Sequence, residues 1–176
     1  FSLYLDRDRI VEETKRLRFE ALLTKRATRY PLQYLVRQVF FRNATLEVGE
    51  GCLIPRPETE ILVEVILRTF VGATPCGCPA YSKRDHSQGG HGGPPLQILD
   101  IGTGSGNIAI SLASERSDLN VTATDISREA LSYAKINAQM NSVEDRVRFV
   151  RTDLWEGLEG QHFDVLVSNP PYLRSD

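Results

Sequence analysis

The sequence predicts an α/β domain, a doubly wound and mainly parallel sheet, preceded by a small helical segment and a hairpin. Three observations lead there. From Leu96 onward, strand-like apolar runs alternate with helical segments, which implies right-handed crossovers and parallel pairing. The first of these strands, Leu96 to Ile101, delivers Gly102-Thr103-Gly104-Ser105-Gly106 into a helix. The last, Phe163 to Ser168, ends on Asn169-Pro170-Pro171-Tyr172, where consecutive prolines stiffen the corner.

Taken in order, residues 8–27 carry apolar side chains at Ile10, Leu17, Ala21 and Leu22 with charges between them, the pattern of an amphipathic helix. Pro31 ends that helix. Val39 to Arg42 and Thr45 to Val48, split by Asn43-Ala44, read as a hairpin. Pro57 suits the first position of a second helix, with Glu58 and Glu60 in its first turn and Arg68 near its end, as the helix dipole prefers. Its expected buried stripe is Ile61, Leu62, Val65, Ile66 and Phe70.

Residues 72–95, crowded with Gly and Pro, read as a flexible surface loop. The loop contains Cys76, Cys78, His86 and His91, but their irregular spacing is not that of a structural zinc unit, so no metal is expected. Beyond it come strands at Gln97–Ile101, Asn120–Thr124, Val147–Val150 and Phe163–Ser168. Helices lie at Asn107–Ser114 and from the Ser127 cap to Met140, the latter with Ala130, Leu131, Ala134 and Ala138 inward. Four core strands are expected, where an open sheet of this kind usually has about six, so the sheet reads as incomplete.

Composition narrows the function classes. A chain of 176 residues with 41% apolar and 25% charged residues has room for one sizeable domain and a small appendage. A net charge of −2 argues against wide electrostatic contact with nucleic acid. No apolar stretch approaches the ~20 residues of a membrane helix, and the three cysteines form no even framework, so the default is a cytoplasmic protein. The chain begins at Phe1 and stops just past a motif, and reads as a piece of something longer.

The glycine turn lies at the carboxyl ends of the strands, where open α/β sheets bind ligands. Its glycines let a cofactor approach the main chain with no Cβ in the way. Residue 107 is Asn, so the pattern is not the G-x-G-x-x-G dinucleotide fingerprint, which favours a nucleoside cofactor over NAD. Asp125, closing the second core strand, is placed for the ribose hydroxyls; the alternative is a cap for the next helix, although Ser127 is available for that. Asp153 is the analogous candidate for an adenine amino group, or for a turn cap, with Leu154 placed to cover the ring.

At the other motif, the Asn169 side-chain oxygen and the Pro170 carbonyl offer two acceptors that would hold a planar amino group and favour lone-pair localisation on its nitrogen. Tyr172 adds a flat face. A sulfonium cofactor supplies its own leaving group, so positioning does most of the work and no general base is required. Together the two motifs point to methyl transfer from S-adenosylmethionine to a nitrogen.

On these residues, and on Pro31-Leu-Gln-Tyr34, Phe41 and above all Leu53-Ile-Pro-Arg-Pro-Glu-Thr-Glu60, the sequence resembles the HemK/PrmC-type release-factor glutamine methyltransferases from about Leu22 onward. The resemblance implies methylation of the side-chain amide of the glutamine in the Gly-Gly-Gln loop of a peptide chain release factor, with no nucleic-acid or membrane partner and a monomeric enzyme. It implies a Rossmann-like class I methyltransferase fold and cofactor contacts at Gly102 to Gly106, Asp125 and Leu154, beside which Asp153 and Asn169 are also expected at the cofactor. It implies a glutamine clamp at Asn169, Pro170, Pro171 and Tyr172, with Asn169, Pro170 and Tyr172 catalytic. It also implies a loop, Arg56 to Thr59, closing over the site. Residues 1–30 would be the remnant of an N-terminal helical substrate-binding domain, 31–56 a linker with the hairpin, and 57–176 the methyltransferase domain. Arg37 stands where the family usually has glycine, and Leu154 where it often has an aromatic residue. Two other readings stay open: an adenine-N6 DNA or RNA methyltransferase, since the same corner can hold an adenine amino group, and a truncated domain that binds cofactor without turnover.

Overall fold

The computed structural model describes residues 10–70 and 95–170. The chain divides into two compact units, Phe1–Arg37 and Gln38–Asp176. The expected loop, with Cys76, Cys78, His86 and His91, falls outside the described residues except for its last residue, Pro95.

In the first unit, α1 (Glu13–Ala27) and α2 (Leu32–Val36) flank Pro31. Exposed ion pairs one turn apart line α1: Arg16 reaches Glu13 and Glu20, and Lys15 lies 2.8 Å from Glu12. None of its residues is buried, so the apolar stripe expected there is on display, with Leu17 exposed. Pro31 ends the first helix as expected, but it also opens a second, because a proline just ahead of a helix gives up no needed N–H. Arg37 closes α2 in the left-handed region at φ 60°. That is the conformation a glycine adopts without steric cost, which accounts physically for the family's usual residue at this place.

In the second unit, β1 (Gln38–Phe41) and β2 (Ala44–Glu47) pair antiparallel, Phe41 opposite Ala44. The turn is therefore Arg42-Asn43, one residue earlier than the sequence suggested, with Arg42 at φ 49° as tight hairpin turns demand. Then follow α3 (Thr59–Phe70), β3 (Leu96–Ile101), α4 (Asn107–Glu115), β4 (Leu119–Asp125), α5 (Arg128–Met140), β5 (Val147–Arg151) and β6 (Val165–Ser168). The four later strands form one parallel sheet in the order β5-β4-β3-β6. The chain moves outward from β3 to β5 and then returns to β3's other side, so the strand order reverses at β3, and that is where a crevice opens.

The main core runs from Leu46 and Val63 through Ile98, Ile110 and Leu112 to Val121 and Val147, and a smaller second cluster joins Leu99, Ile101 and Leu158. Helix α5 is capped as expected, Ser127 Oγ accepting from Ala130 N at 3.1 Å, and Ala130, Leu131, Ala134 and Ala138 are buried. Helix α3 departs from expectation. It starts at Thr59, with Pro57 in the preceding turn, and its buried residues are Thr59, Val63 and Ile66, whereas Ile61 and Val65 are exposed. Polar anchors set that rotation. Arg42 donates to Glu60 O at 3.2 Å and to Glu64 Oε2 at 2.9 Å, which holds the Glu60/Glu64 side of the helix against the hairpin. Arg42 also grips the Glu115 carboxylate at the end of α4 through two nitrogens, one at 2.8 Å.

Two asparagines, Asn137 of α5 and Asn141 at its C-cap, dock the hairpin. The Asn137 carboxamide accepts from Glu47 N at 2.6 Å and donates to Glu47 O and Ser105 O at 2.9 Å. One turn on, Asn141 accepts from Thr45 N at 3.2 Å and donates to Thr45 O at 2.9 Å. Residues 45 and 47 point the same way along a strand and residues 137 and 141 along a helix, so the two periods match.

Candidate active site

Because Ile101 of β3 pairs with Ser168 of β6, Gly102 and Asn169 leave adjacent parallel strands at the same level. The Ser168 hydroxyl donates to Ile101 O at 2.8 Å and ties the two strand ends together. On the other side, Gly102 N and Thr103 N both donate to Thr124 O, at 2.8 and 2.9 Å, fastening the turn to β4. The positive end of α4 then faces the crevice.

A cavity of about 350 Å³ lies there, within the range of small-ligand sites. One wall is the turn from Gly102 to Ser105. Gly102 and Gly104 have φ of 71° and 59°, and a Cβ built on either meets nothing within 4 Å, so the main chain itself faces open space. Thr103 and Ser105 are buried, and the Thr103 hydroxyl is committed to Asp100 Oδ2 at 2.6 Å. Gly106 is different in kind: it does not line the cavity, and a Cβ there would sit 2.7 Å from Ile110 Cδ1 and 3.2 Å from Ala134 Cβ. Its glycine lets α4 and α5 pack.

The second wall comes from the ends of β4 and β5: Asp125, Ile126, Ser127, Thr152, Asp153 and Leu154. The Asp125 carboxylate accepts from Gly104 N at 2.8 Å and from Ser127 N at 2.9 Å. The carboxylate thus braces the turn and starts the helix, and the residue lines the cavity. Ile126 and Leu154 are exposed apolar side chains on this wall, suited to the faces of a flat ring. Leu154 is held at φ 50°, its carbonyl accepting from Thr124 Oγ1 at 2.9 Å.

The third wall joins Ser168, Asn169 and Pro170 to the segment from Gly51 to Thr59, including Leu53, Ile54 and Arg56. Asn169 Nδ2 donates to Thr59 Oγ1 at 2.8 Å. Pro171 and Tyr172 lie outside the described residues. Of the expected contacts, the cavity thus brings together Gly102, Thr103, Gly104, Ser105, Asp125, Asp153, Leu154, Asn169 and Pro170. Sequence reasoning passed over Ile126 and Thr152; an isoleucine directly after a strand-ending acid was the available signal for the first.

Two buried titratable groups stand behind the walls. Burial pushes the Asp100 carboxyl up to about 6, against donation from Thr103 and from the Ala109 backbone N–H. Burial likewise raises the Cys52 thiol to about 11, so it stays protonated and inert at neutral pH. Among the described residues, no group of His, Cys, Asp and Glu could hold a metal ion, and no helix is long and apolar enough to cross a membrane.

A glycine-lined main chain, a carboxylate beside it and an apolar slot at the strand ends suit a nucleoside cofactor. The family model described as "Methyltransferase small domain" matches residues 94–176, and together with this architecture it defines a domain of the S-adenosylmethionine-dependent methyltransferase class. A second model, "PrmC N-terminal domain", matches residues 2–36. The release factor glutamine methyltransferase of Rhodopirellula baltica is 39% identical over 173 residues, covering 98% of this chain and 53% of that protein. That of Lactococcus lactis subsp. lactis is 41% identical over 175 residues, covering 99% and 55%. A bifunctional methyltransferase of Rickettsia conorii is 36% identical over 176 residues, covering 97% and 33%. The chain belongs to the HemK/PrmC family, and it spans about half the length of the release factor glutamine methyltransferases it matches.

Proposed function

We propose that the protein, as part of its full-length parent, methylates the side-chain amide nitrogen of the glutamine in the Gly-Gly-Gln loop of a peptide chain release factor. The observation that carries this reading is the placement of Asn169 beside Gly102, across paired residues of adjacent strands, on one cavity. The cofactor, S-adenosylmethionine, supplies when bound a methyl group activated by a sulfonium centre. Gly102, Gly104 and Asp125 would hold its nucleoside side, with Ile126, Asp153 and Leu154 at the ring. Asn169 Oδ1 and the Pro170 carbonyl would accept hydrogen bonds from the substrate amide, fix its plane and favour a localised lone pair. Pro171 would stiffen this corner and Tyr172 would pack on the amide.

The relatives' printed names supply the substrate: a glutamine of a release factor. The residues before the hairpin, matched by the PrmC N-terminal model, would help to hold that protein substrate. The enzyme would act in the cytoplasm, where translation takes place, as a monomer.

The test is mass spectrometry of a release factor incubated with the full-length parent and cofactor: one added methyl on the Gly-Gly-Gln glutamine is expected. With Asn169→Ala, transfer should fall at least about tenfold while cofactor affinity stays. Absence of transfer to the glutamine, with clear transfer to DNA or RNA adenine, would overturn the reading. Lost cofactor affinity in the variant would instead make the corner a structural element.

A further inference from the structure

Asn169 is not positioned by its own strand alone. Its Nδ2 donates to the hydroxyl oxygen of Thr59, a residue 110 positions earlier, at 2.8 Å. Thr59 is 4% exposed, opens α3, and donates its backbone N–H to Arg56 O at 3.0 Å. Its place is therefore set by the Arg56-Pro57 turn on one side and by the helix on the other. That helix is itself held by Arg42 through Glu60 and Glu64.

A carboxamide has two edges of opposite sense, a carbonyl that only accepts and an amino group that only donates. Its terminal torsion is soft and roughly two-fold, so sequence alone does not decide which edge faces a substrate. For an amide clamp the choice is decisive. The substrate nitrogen carries hydrogens, and an Asn169 presenting its own N–H groups would repel it.

We propose that Thr59 is a positioning residue for the Asn169 carboxamide: its buried hydroxyl oxygen accepts from the Nδ2 edge and restrains the side chain, with the carbonyl edge serving as the acceptor for the substrate nitrogen. This rests on the reading of Asn169 as the amide clamp. Thr59 touches neither substrate nor cofactor in this role. It acts by restraining the soft carboxamide torsion, so that substrate meets an ordered side chain.

The experiment compares Thr59→Val and Thr59→Ser in the full-length parent. Valine keeps the shape and removes the acceptor; serine keeps the acceptor. The expected result is a fall in kcat of about tenfold for valine, the size of one lost hydrogen bond. The KM for S-adenosylmethionine should be unchanged, and serine should stay within about twofold of wild type, on the same scale. Wild-type kcat in the valine variant overturns the proposal, and so does an equal loss in both variants, which would indicate methyl packing. Thr59→Ala is read in the same way should the valine variant fail to fold.

An independent reading comes from the Asn169 side-chain amide resonances in the nitrogen-15 spectrum, assigned with Asn169→Ala. They should move and exchange faster in Thr59→Val but not in Thr59→Ser; unmoved resonances overturn the proposal. A wild-type parent that transfers no methyl to the glutamine sinks the clamp reading instead, and the resonances still decide whether Thr59 holds the carboxamide.

Discussion

Replacing Asn137 by alanine would strand three backbone groups at once, because its carboxamide serves Glu47 N, Glu47 O and Ser105 O. The Ser105 contact is buried, and a buried carbonyl left without a partner costs about 2–3 kcal/mol; the two contacts to half-buried Glu47 each cost about 1 kcal/mol, as water can partly take over. The expected loss is therefore about 4 kcal/mol, a large part of the stability of an ordinary domain. Asn141 makes the same pair of contacts to Thr45 one turn away, but in half-buried surroundings, so Asn141→Ala should cost only about 2 kcal/mol. The two variants form a controlled pair with the same residue type and the same hairpin, one inside α5 and one at its C-cap. Urea unfolding of the full-length parent, followed by far-ultraviolet circular dichroism, measures both. Equal losses, or a loss below about 1 kcal/mol for Asn137→Ala, would refute the argument that burial decides the value of these bonds.

Two further outcomes follow from the walls of the cavity. The folded pKa of Asp100, about 6 against an ordinary 3.8, means that the folded state holds this proton more tightly than the unfolded state does. Its contribution is fully present below about pH 4 and is lost as pH rises toward 6, by about 3 kcal/mol in total; Asp100→Asn should flatten that part of the stability profile, and an unchanged profile would contradict it. Gly104→Ala puts a methyl group into the cavity at φ 59°; calorimetric titration with S-adenosylhomocysteine should show affinity reduced at least about tenfold, and undiminished binding would place the nucleoside elsewhere.

Much of this arrangement was legible in the chain. Strand–helix alternation after Leu96 gave the parallel sheet, because apolar periodicity directly records burial. The glycine turn and the Asn169 corner were legible because their residue types are demanded by backbone shape. The face of α3 was not. Ile61, Leu62, Val65 and Ile66 make as good a stripe on paper as Val63 and Ile66 do in the fold, and polar anchors distant in sequence made the choice. Nor was Asn137 of α5 legible: a polar residue among inward-facing alanines reads as surface until the strand whose backbone it serves is in place. Asp125 could not be resolved into ribose contact or helix start, since its two oxygens support the turn and the helix at once.

Arg42 closes a circuit that passes through two of the cavity's three walls. From the glycine bend one can travel along α4 to Glu115, across the guanidinium to α3, through Thr59 to Asn169, down β6 and back through β3 to the start. A frame without a free end resists being spread. Parting the two walls it joins would have to rupture a charged joint between α3 and α4.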